Sequence, residues 1–356
     1  MPISPPRTRA VTLIGRQVQV RSYPIGPVTR EDFELVEVPV APIGPGQVLV
    51  RNTWTSVDPG LRLRLREAAP AGYFVAFPLH APMDGIMTVG EVVASEADGF
   101  VAGDSVWHAL GWRDYAVVDA AAVQLNGLGT LRTLDTSIAE PQWYLGALGG
   151  MGLTAYAGLS VVGALKGGET VWVSAAAGAV GSLAVQIARM HGNDVVASAG
   201  SDDKVRWLLD DLHVDAAFSY RSGPVREGLA AAAPEGIDVY FDCVGGDHLE
   251  AALDGMRRGG RVAICGSISE YESEPAGPRN LFLAVAKDLT IRGFRGSSSL
   301  DLMNTMQAEL GTALADGRLQ QRETVFDGLA SAPQALIEMI AGRTTGKTLV
   351  RITDAG

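Results

Sequence analysis

TVWVSAAAGAVGSLAVQIARMHGNDVVASAGSDDK, residues 170–204, decides the fold. Its first seven residues, 170–176, are uncharged, mostly apolar and prone to β structure. Such a run suits a strand buried on both faces. Small residues follow at once, and then residues 180–191 carry Leu183, Ile187 and Met190 at helical spacing. The order is strand, tight glycine turn, helix. A helix opening there presents free backbone N–H groups and the positive end of its dipole, so the turn is a site for a diphosphate. Gly178 and Gly181, with Ala179 and Val180 between them, let the backbone approach such a ligand and let the helix pack close to the strand.

A second strand is expected over 194–199, and its end discriminates between dinucleotides. An NAD site places Asp or Glu about 20 residues past the glycine turn, to accept from the ribose hydroxyls. Here the strand runs out into Gly200 and Ser201, and Lys204 follows in the first turn of the next helix. A hydroxyl and a cation at that place suit the 2′-phosphate of NADP. Asp202 and Asp203 are close by, but they equally suit a helix start, Asp202 as cap and Asp203 in the first turn. Taken alone, Lys204 is an ordinary solvated helix lysine.

Composition narrows the field. The chain has 356 residues, 47% hydrophobic and 19% charged, which is globular and long enough for two domains. A net charge of −11 with no basic run argues against nucleic acid and anionic membrane surfaces. No apolar run reaches the ~18 residues of a membrane span. The opening MPISPPRTRAVTLIG lacks an apolar core followed by a small-residue cleavage site, so no signal peptide is expected and the cytoplasm is the default. The two cysteines, Cys243 and Cys265, cannot form a disulfide framework and read as small buried filler. No cysteine precedes residue 243, and the five histidines are scattered singly, so no catalytic zinc is expected.

Residues 1–125 read as short strands and turns. Strands are expected over 11–15, 33–38, 47–53, 86–94, 105–109 and 112–118, with frequent Gly and Pro at their ends. That pattern points to a barrel-like all-β domain. Arg62, Arg64 and Arg66 alternate and read as a solvated face, ahead of a site for a substrate anion. From residue 145 the pattern becomes β/α alternation. Strands at 216–220, 237–244, 261–267 and 289–294 join the first two, and helices are expected over 203–212, 224–232, 248–256 and 300–315. Six strands joined by helices give a doubly wound parallel sheet, with a cofactor at the strands' carboxyl ends. The tail offers strands at 323–326 and 347–352 and a helix at 331–341, expected to rejoin the first domain.

These pieces together resemble a known family. The motifs are VDPGLR (57–62), GWRDYAV (111–117), GLTAY (152–156), AAAGAVGS (175–182), AGSDDK (199–204), FSY (218–220), FDCVGG (241–246), ICGSISEY (264–271), GPRN (277–280) and GKTLV (346–350). They are similar to the zinc-independent medium-chain dehydrogenase/reductases, and within them to the prostaglandin, alkenal and curcumin reductases. The resemblance implies a Rossmann domain at 146–316 that binds NADP(H) without zinc. It implies a GroES-like all-β barrel domain at 1–145, rejoined by 317–356. It implies reduction of the carbon–carbon double bond of an α,β-unsaturated aldehyde or ketone, with a small-molecule substrate and a homodimer as the candidate assembly.

The same resemblance assigns residues. Lys204 and Tyr220 reach the 2′-phosphate, and Thr154 lies near the nicotinamide. The backbone passing the cofactor falls on Cys243, on Cys265, Gly266, Ser267, Ile268, Ser269 and Tyr271, and on Phe294, Arg295 and Gly296. Trp54 and Tyr73 fall where the first domain faces the substrate, and each is equally suited to a core; Tyr271 and Ser297 join them as substrate candidates. The chain departs from the pattern at four places: Cys243 replaces Asn, Gly150-Met151 replaces Met-Pro, and Gly60 and Ser297 each replace a tyrosine. Loss of both tyrosines thins the aromatic wall expected around the substrate. The competing readings are a quinone reductase of the same superfamily and a non-catalytic NADP-binding protein. For Ser297 to Ser299 the alternative is capping of the helix from Leu300.

Overall fold

The computed structural model describes residues 12–125, 127, 129–273 and 277–352. The first part of the chain supplies β1 (Ile14–Val20), β2 (Phe33–Pro39), β3 (Gln47–Ser56), β4 (Thr88–Ser95), β5 (Ser105–His108), β6 (Tyr115–Asp119) and β7 (Arg132–Thr133). The middle alternates: α1 (Gly150–Ala157), β8 (Thr170–Val173), α2 (Ala179–Met190), β9 (Asp194–Ala199), α3 (Asp202–Asp210), β10 (Ala216–Ser219), α4 (Val225–Ala232) and β11 (Ile237–Asp242). It continues with α5 (Gly246–Gly255), β12 (Met256–Ile264), α6 (Phe282–Ala286), β13 (Thr290–Gly293) and α7 (Met303–Ala315). The tail adds β14 (Glu323–Asp327), α8 (Ala332–Ile340) and β15 (Lys347–Arg351).

The middle strands form one parallel sheet in the order β10-β9-β8-β11-β12-β13. This is the doubly wound Rossmann arrangement, and its order reverses between β8 and β11. Those two strands are dry at their centres. Val171, Trp172, Val173, Val239, Tyr240 and Phe241 are all fully buried, and each such side chain contributes about 1.5–3 kcal/mol by leaving water. Helix α1 packs so close that a Cβ on Gly158, just past its end, would lie 2.4 Å from the Phe241 ring.

The second sheet runs β14-β15-β3-β4-β5-β7, with β6 also on β3. Its pairs are antiparallel except β14 with β15. Strand β3 serves two partners along one edge: Gln47 to Arg51 face β6, and Trp54 to Ser56 face β15. The sheet therefore curls around β3, and the chain's last strand is built into it. A separate antiparallel ladder joins β1 to β2.

Most expected elements lie where the sequence puts them, with ends shifted by a few residues. The strand expected over 11–15 is β1, displaced toward 20; Val11 lies outside the described residues. Helix α7 starts at Met303, because residues Gly296–Leu302 form a 3-10 stretch broken at Ser299 (φ −130°, ψ 36°). The cap of α3 is Ser201, whose hydroxyl accepts from the Lys204 N–H, so Asp202 is already helical.

Arg62, Arg64 and Arg66 are not a solvated face. Residues Pro59–Arg64 make a 3-10 turn, and at three residues per turn alternate side chains point in three directions. Arg64, 2% exposed, makes a two-pronged pair with Asp84 at 2.6 Å on both arms. Its guanidinium lies 3.8 Å over the Phe77 ring and donates to the Val75 carbonyl. Arg62 reaches Glu272 and the Gly26 carbonyl, and Arg66 reaches the Tyr271 carbonyl. The three tie the turn to its own sheet and to the loop after β12.

Two buried histidines predict acid lability. His108 sits between the Asn52 Oδ1 and the Leu110 N–H, and burial, with Arg113 second, pushes its imidazole down to about 3. Burial pushes His248 down to about 4. Above pH 6.5 both are neutral in the folded and unfolded chain. Below it the unfolded chain takes up protons that the folded one refuses, so stability falls with pH. From pH 6.5 to pH 5 each should cost about 2 kcal/mol. The midpoint of urea unfolding should drop clearly over that interval; an unchanged midpoint would contradict the burial of both rings.

Candidate functional site

One cavity of about 720 Å³ lies between the two sheets, at the carboxyl ends of β8 and β11. Its floor is the glycine turn. Ala175, just past β8, takes a left-handed conformation (φ 47°) and turns the chain into α2. Gly178 is the N-terminal cap residue of α2, and its φ of −87° is open to any residue. The two glycines do different work. A Cβ on Gly181 would lie 2.4 Å from the Ala175 carbonyl oxygen and 2.8 Å from the Ala176 Cα, so Gly181 is required for helix α2 to sit on the turn. A Cβ on Gly178 would meet only the Ala175 oxygen, at 3.2 Å. Gly178, which lines the cavity, is the position where a side chain would intrude on a diphosphate.

At one end stand Lys204, Tyr220 and Arg221. The Lys204 ammonium donates to the Gly342 carbonyl at 2.7 Å. Burial lowers its pKa, and the charge of Arg221 lowers it further. Neither cation has a carboxylate partner among the described residues. Gly200 leaves room for the Tyr220 hydroxyl, which a Cβ there would approach to 2.7 Å. The Tyr220 ring meets His248 edge-on at 5.2 Å, and the His248 Nε2 is buried without a partner. Two repelling cations, a phenol and an orphaned ring nitrogen fit a phosphorylated ribose and its base.

The next stretch of wall is the turn after β11. Asp242 is fully buried, and its Oδ1 accepts from the Tyr240 hydroxyl (2.8 Å) and from the N–H groups of Val244 (2.9 Å) and Gly245 (2.8 Å). Burial nonetheless raises its pKa, against the lowering effect of those bonds. Ser174, at the end of β8, accepts from the Cys243 N–H at 2.9 Å. Cys243 and Cys265 are free and both line the cavity. Hydrogen bonding to Cys265, then burial, raises the Cys243 thiol well above its usual value, so it is not a poised nucleophile.

At the other end Thr154 and the segment Phe294 to Gly296 come together: a Cβ on Gly296 would lie 2.3 Å from the Thr154 hydroxyl. At Gly60 a neighbouring ring takes up the space that the missing tyrosine would leave. A Cβ on Gly60 would lie 2.3 Å from the Tyr73 hydroxyl. Tyr73 thus fills the space that a side chain at 60 would need. Its loop is held by Arg64 through Val75, Phe74 and Phe77. Tyr271 lines the same wall. Burial, with Asp58 second, raises Tyr73 to about 12. Burial and then the neighbouring Tyr73 raise Tyr271 further. Both phenols stay protonated, and among the described residues neither hydroxyl has a hydrogen-bond partner.

Most of the candidates named from sequence line this cavity: Thr154, Gly178, Ala179, Val180, Gly181, Lys204, Tyr220, Cys243, Cys265, Gly266, Ile268, Ser269, Tyr271, Phe294, Arg295, Gly296, Tyr73 and Ser297. Three do not. Trp54 lies on β3 with the Arg351 guanidinium 5.6 Å over its ring. Ser201 is spent on capping α3, and the Ser267 hydroxyl lies against Gly245. Ser297 to Ser299 make no cap bond to α7, whose cap residue is Leu302. Sequence reasoning missed Arg221, although it directly follows Tyr220 at the same strand end, and it missed Gly346. Gly346 donates to the Ala177 carbonyl at 2.8 Å and brings the tail onto the glycine turn. Among the described residues no group of three or more His, Cys, Asp or Glu could hold a metal ion.

Comparison with known proteins agrees with this architecture. Residues 16–125 match the model of an N-terminal domain of oxidoreductase, and residues 179–311 match that of a zinc-binding dehydrogenase. The chain is 36% identical to an NADP(+)-dependent 2-alkenal reductase of Nicotiana tabacum, covering 95% of this chain and 98% of the relative. It is 33% identical to an NADPH-dependent curcumin reductase of Escherichia coli, over 95% and 97% of the two chains. Among solved structures, CurA from Vibrio vulnificus in complex with NADPH superposes with a TM-score of 0.87 at 32% identity, covering 95% of this chain and 99% of that one. With its Rossmann sheet, its GroES-like β domain and these relatives, the chain belongs to the zinc-independent medium-chain dehydrogenase/reductase family of oxidoreductases.

Proposed function

We propose that this protein is an NADPH-dependent reductase of the carbon–carbon double bond of α,β-unsaturated aldehydes or ketones. Residues 146–316 hold the cofactor, and residues 1–145 with 317–356 shape the substrate side. The observation that carries the reading is the pair of protonated, unpartnered phenols, Tyr73 and Tyr271, in the cavity that also holds the glycine turn.

NADPH, when bound, supplies a hydride to the carbon β to the carbonyl. Negative charge then gathers on the carbonyl oxygen, and a phenol donating to it stabilises the enolate. Tyr73 or Tyr271 fits that task, because each is a protonated phenol at the cavity wall whose hydroxyl has no partner among the described residues. The α carbon takes its proton from water. Thr154, Phe294 and Gly296 confine the nicotinamide end, and Lys204, Tyr220 and Arg221 receive the 2′-phosphate. The protein works in the cytoplasm as a homodimer. Support for the dimer is the open edge strand β13 and the exposed Phe282 and Val285 on α6, which leads into it.

NADPH oxidation followed with an alkenal, an enone and a quinone tests the reading. Turnover of the first two, with retention of the carbonyl, is expected; turnover of the quinone alone, or of none, would overturn it. Lys204→Ala and Arg221→Ala should each weaken NADPH by roughly 10–100-fold, the value of a charge-assisted hydrogen bond, and leave NADH unaffected. Tyr73→Phe or Tyr271→Phe should lower kcat on enones by roughly 100-fold at unchanged NADPH affinity. If neither does, the phenols are not the donors. Ser297→Tyr should raise kcat/KM on short alkenals relative to bulky enones; an unchanged ratio would remove Ser297 from the substrate wall.

A further inference from the structure

The β-domain end of the cavity carries two donors with no acceptor. Arg132, on β7, and Trp107, on β5, pair across the sheet and both line the cavity, beside Met87 and Gly150. The Arg132 guanidinium lies 3.8 Å over the Trp107 ring. Arg132 is half-buried and makes no hydrogen bond or ion pair with any side chain or backbone group among the described residues. Trp107 is 1% exposed, and its indole N–H is buried with no acceptor. Stacking on an aromatic face stabilises a guanidinium but leaves its five N–H donors unmet.

Arg64 shows how this fold treats an arginine that is only structural. It is matched on both arms by Asp84 and on its Nε by a carbonyl. Arg132 has no such match. Burial alone pushes it down to about 10, with no carboxylate to offset the cost, so it is still a cation at neutral pH. A desolvated cation whose donors are free at a cavity wall lacks an anion from outside, and the planar fork fits a carboxylate on two prongs. The chain's net charge of −11 repels anions at long range, so the preference must come from this local cation.

We propose that Arg132, backed by Trp107, binds a carboxylate carried by the substrate, so that the enzyme selects oxo-alkenoic acids over neutral enones. This rests on the reductase reading above, and the two are separable by experiment. Saturated oxo-acids of increasing chain length and their methyl esters are titrated calorimetrically into the NADP⁺-loaded protein. The matching unsaturated acids and esters are assayed for NADPH oxidation. In the wild type the best acid should exceed its ester by roughly 10–100-fold in both affinity and kcat/KM. Arg132→Met should bring both ratios near one, and Arg132→Lys should keep part of the preference. NADPH fluorescence checks that each variant is folded; should Arg132→Met fail to fold, the wild-type ratio and Arg132→Lys decide. An acid-to-ester ratio near one in the wild type, or an unchanged ratio in Arg132→Met, overturns the anion site and leaves the reductase standing. Preferential binding of the acid with no turnover of either enone leaves the anion site standing and overturns the reductase.

Discussion

The dipeptide Gly346-Lys347 fastens the glycine turn of the parallel sheet to the second sheet. The Gly346 N–H donates to the Ala177 carbonyl on the glycine turn of the parallel sheet. The next side chain, Lys347, is 2% exposed and runs into the other sheet, where it meets Asp58 at 2.7 Å together with the Ser56 hydroxyl. Gly346 has φ +71°, and a Cβ there would lie 2.0 Å from the Arg322 carbonyl oxygen, so no other residue fits. Removing one partner of a buried ion pair strands the other charge, at about 3–5 kcal/mol. The constraint reaches the chemistry directly: Asp58, Gly60, Gly178 and Gly346 all line the cavity, so its floor is drawn from the beginning, middle and end of the chain.

From that fixed floor the walls divide the labour. The turn after β11 is stiffened by Asp242, and it offers its backbone and the Cys243 thiol to the cofactor groove. The opposite wall is built by arginines. Arg64 anchors the loop that carries Tyr73, and Arg62 and Arg66 hold the loop that carries Tyr271. The two phenols therefore belong to different parts of the chain but are positioned by one 3-10 turn, Pro59–Arg64. Glycine at 60 is part of the same design, since it vacates the space that Tyr73 enters.

Local signals made the parallel sheet legible. Residues 170–204 hold a strand, a turn and a helix whose periods and small residues allow no other order, and β9 falls on its expected bounds. The glycine turn and Lys204 were legible for the same reason. What the sequence hid was partnership at long range. Arg64 is 20 residues from Asp84 and Lys347 is 289 from Asp58, and nothing local marks either pair. Alternating arginines look like a wet face until the backbone proves to be a 3-10 turn. The glycine at 60 looked like a loss because a sequence shows which side chain is missing and not that Tyr73 moves into its space. Trp54 was equally suited to pocket and core, and its ring packs under Arg351, away from the residues that line the cavity.

The central claim is that the site reduces a double bond while its tyrosines hold the carbonyl oxygen. The position of the transferred hydrogen tests it most directly. The enzyme is supplied with an enone and with NADPH deuterated at the transferable position of the nicotinamide, and the product is read by NMR. The account predicts a saturated ketone with deuterium on the β carbon. Deuterium on the carbinol carbon of an allylic alcohol would contradict it.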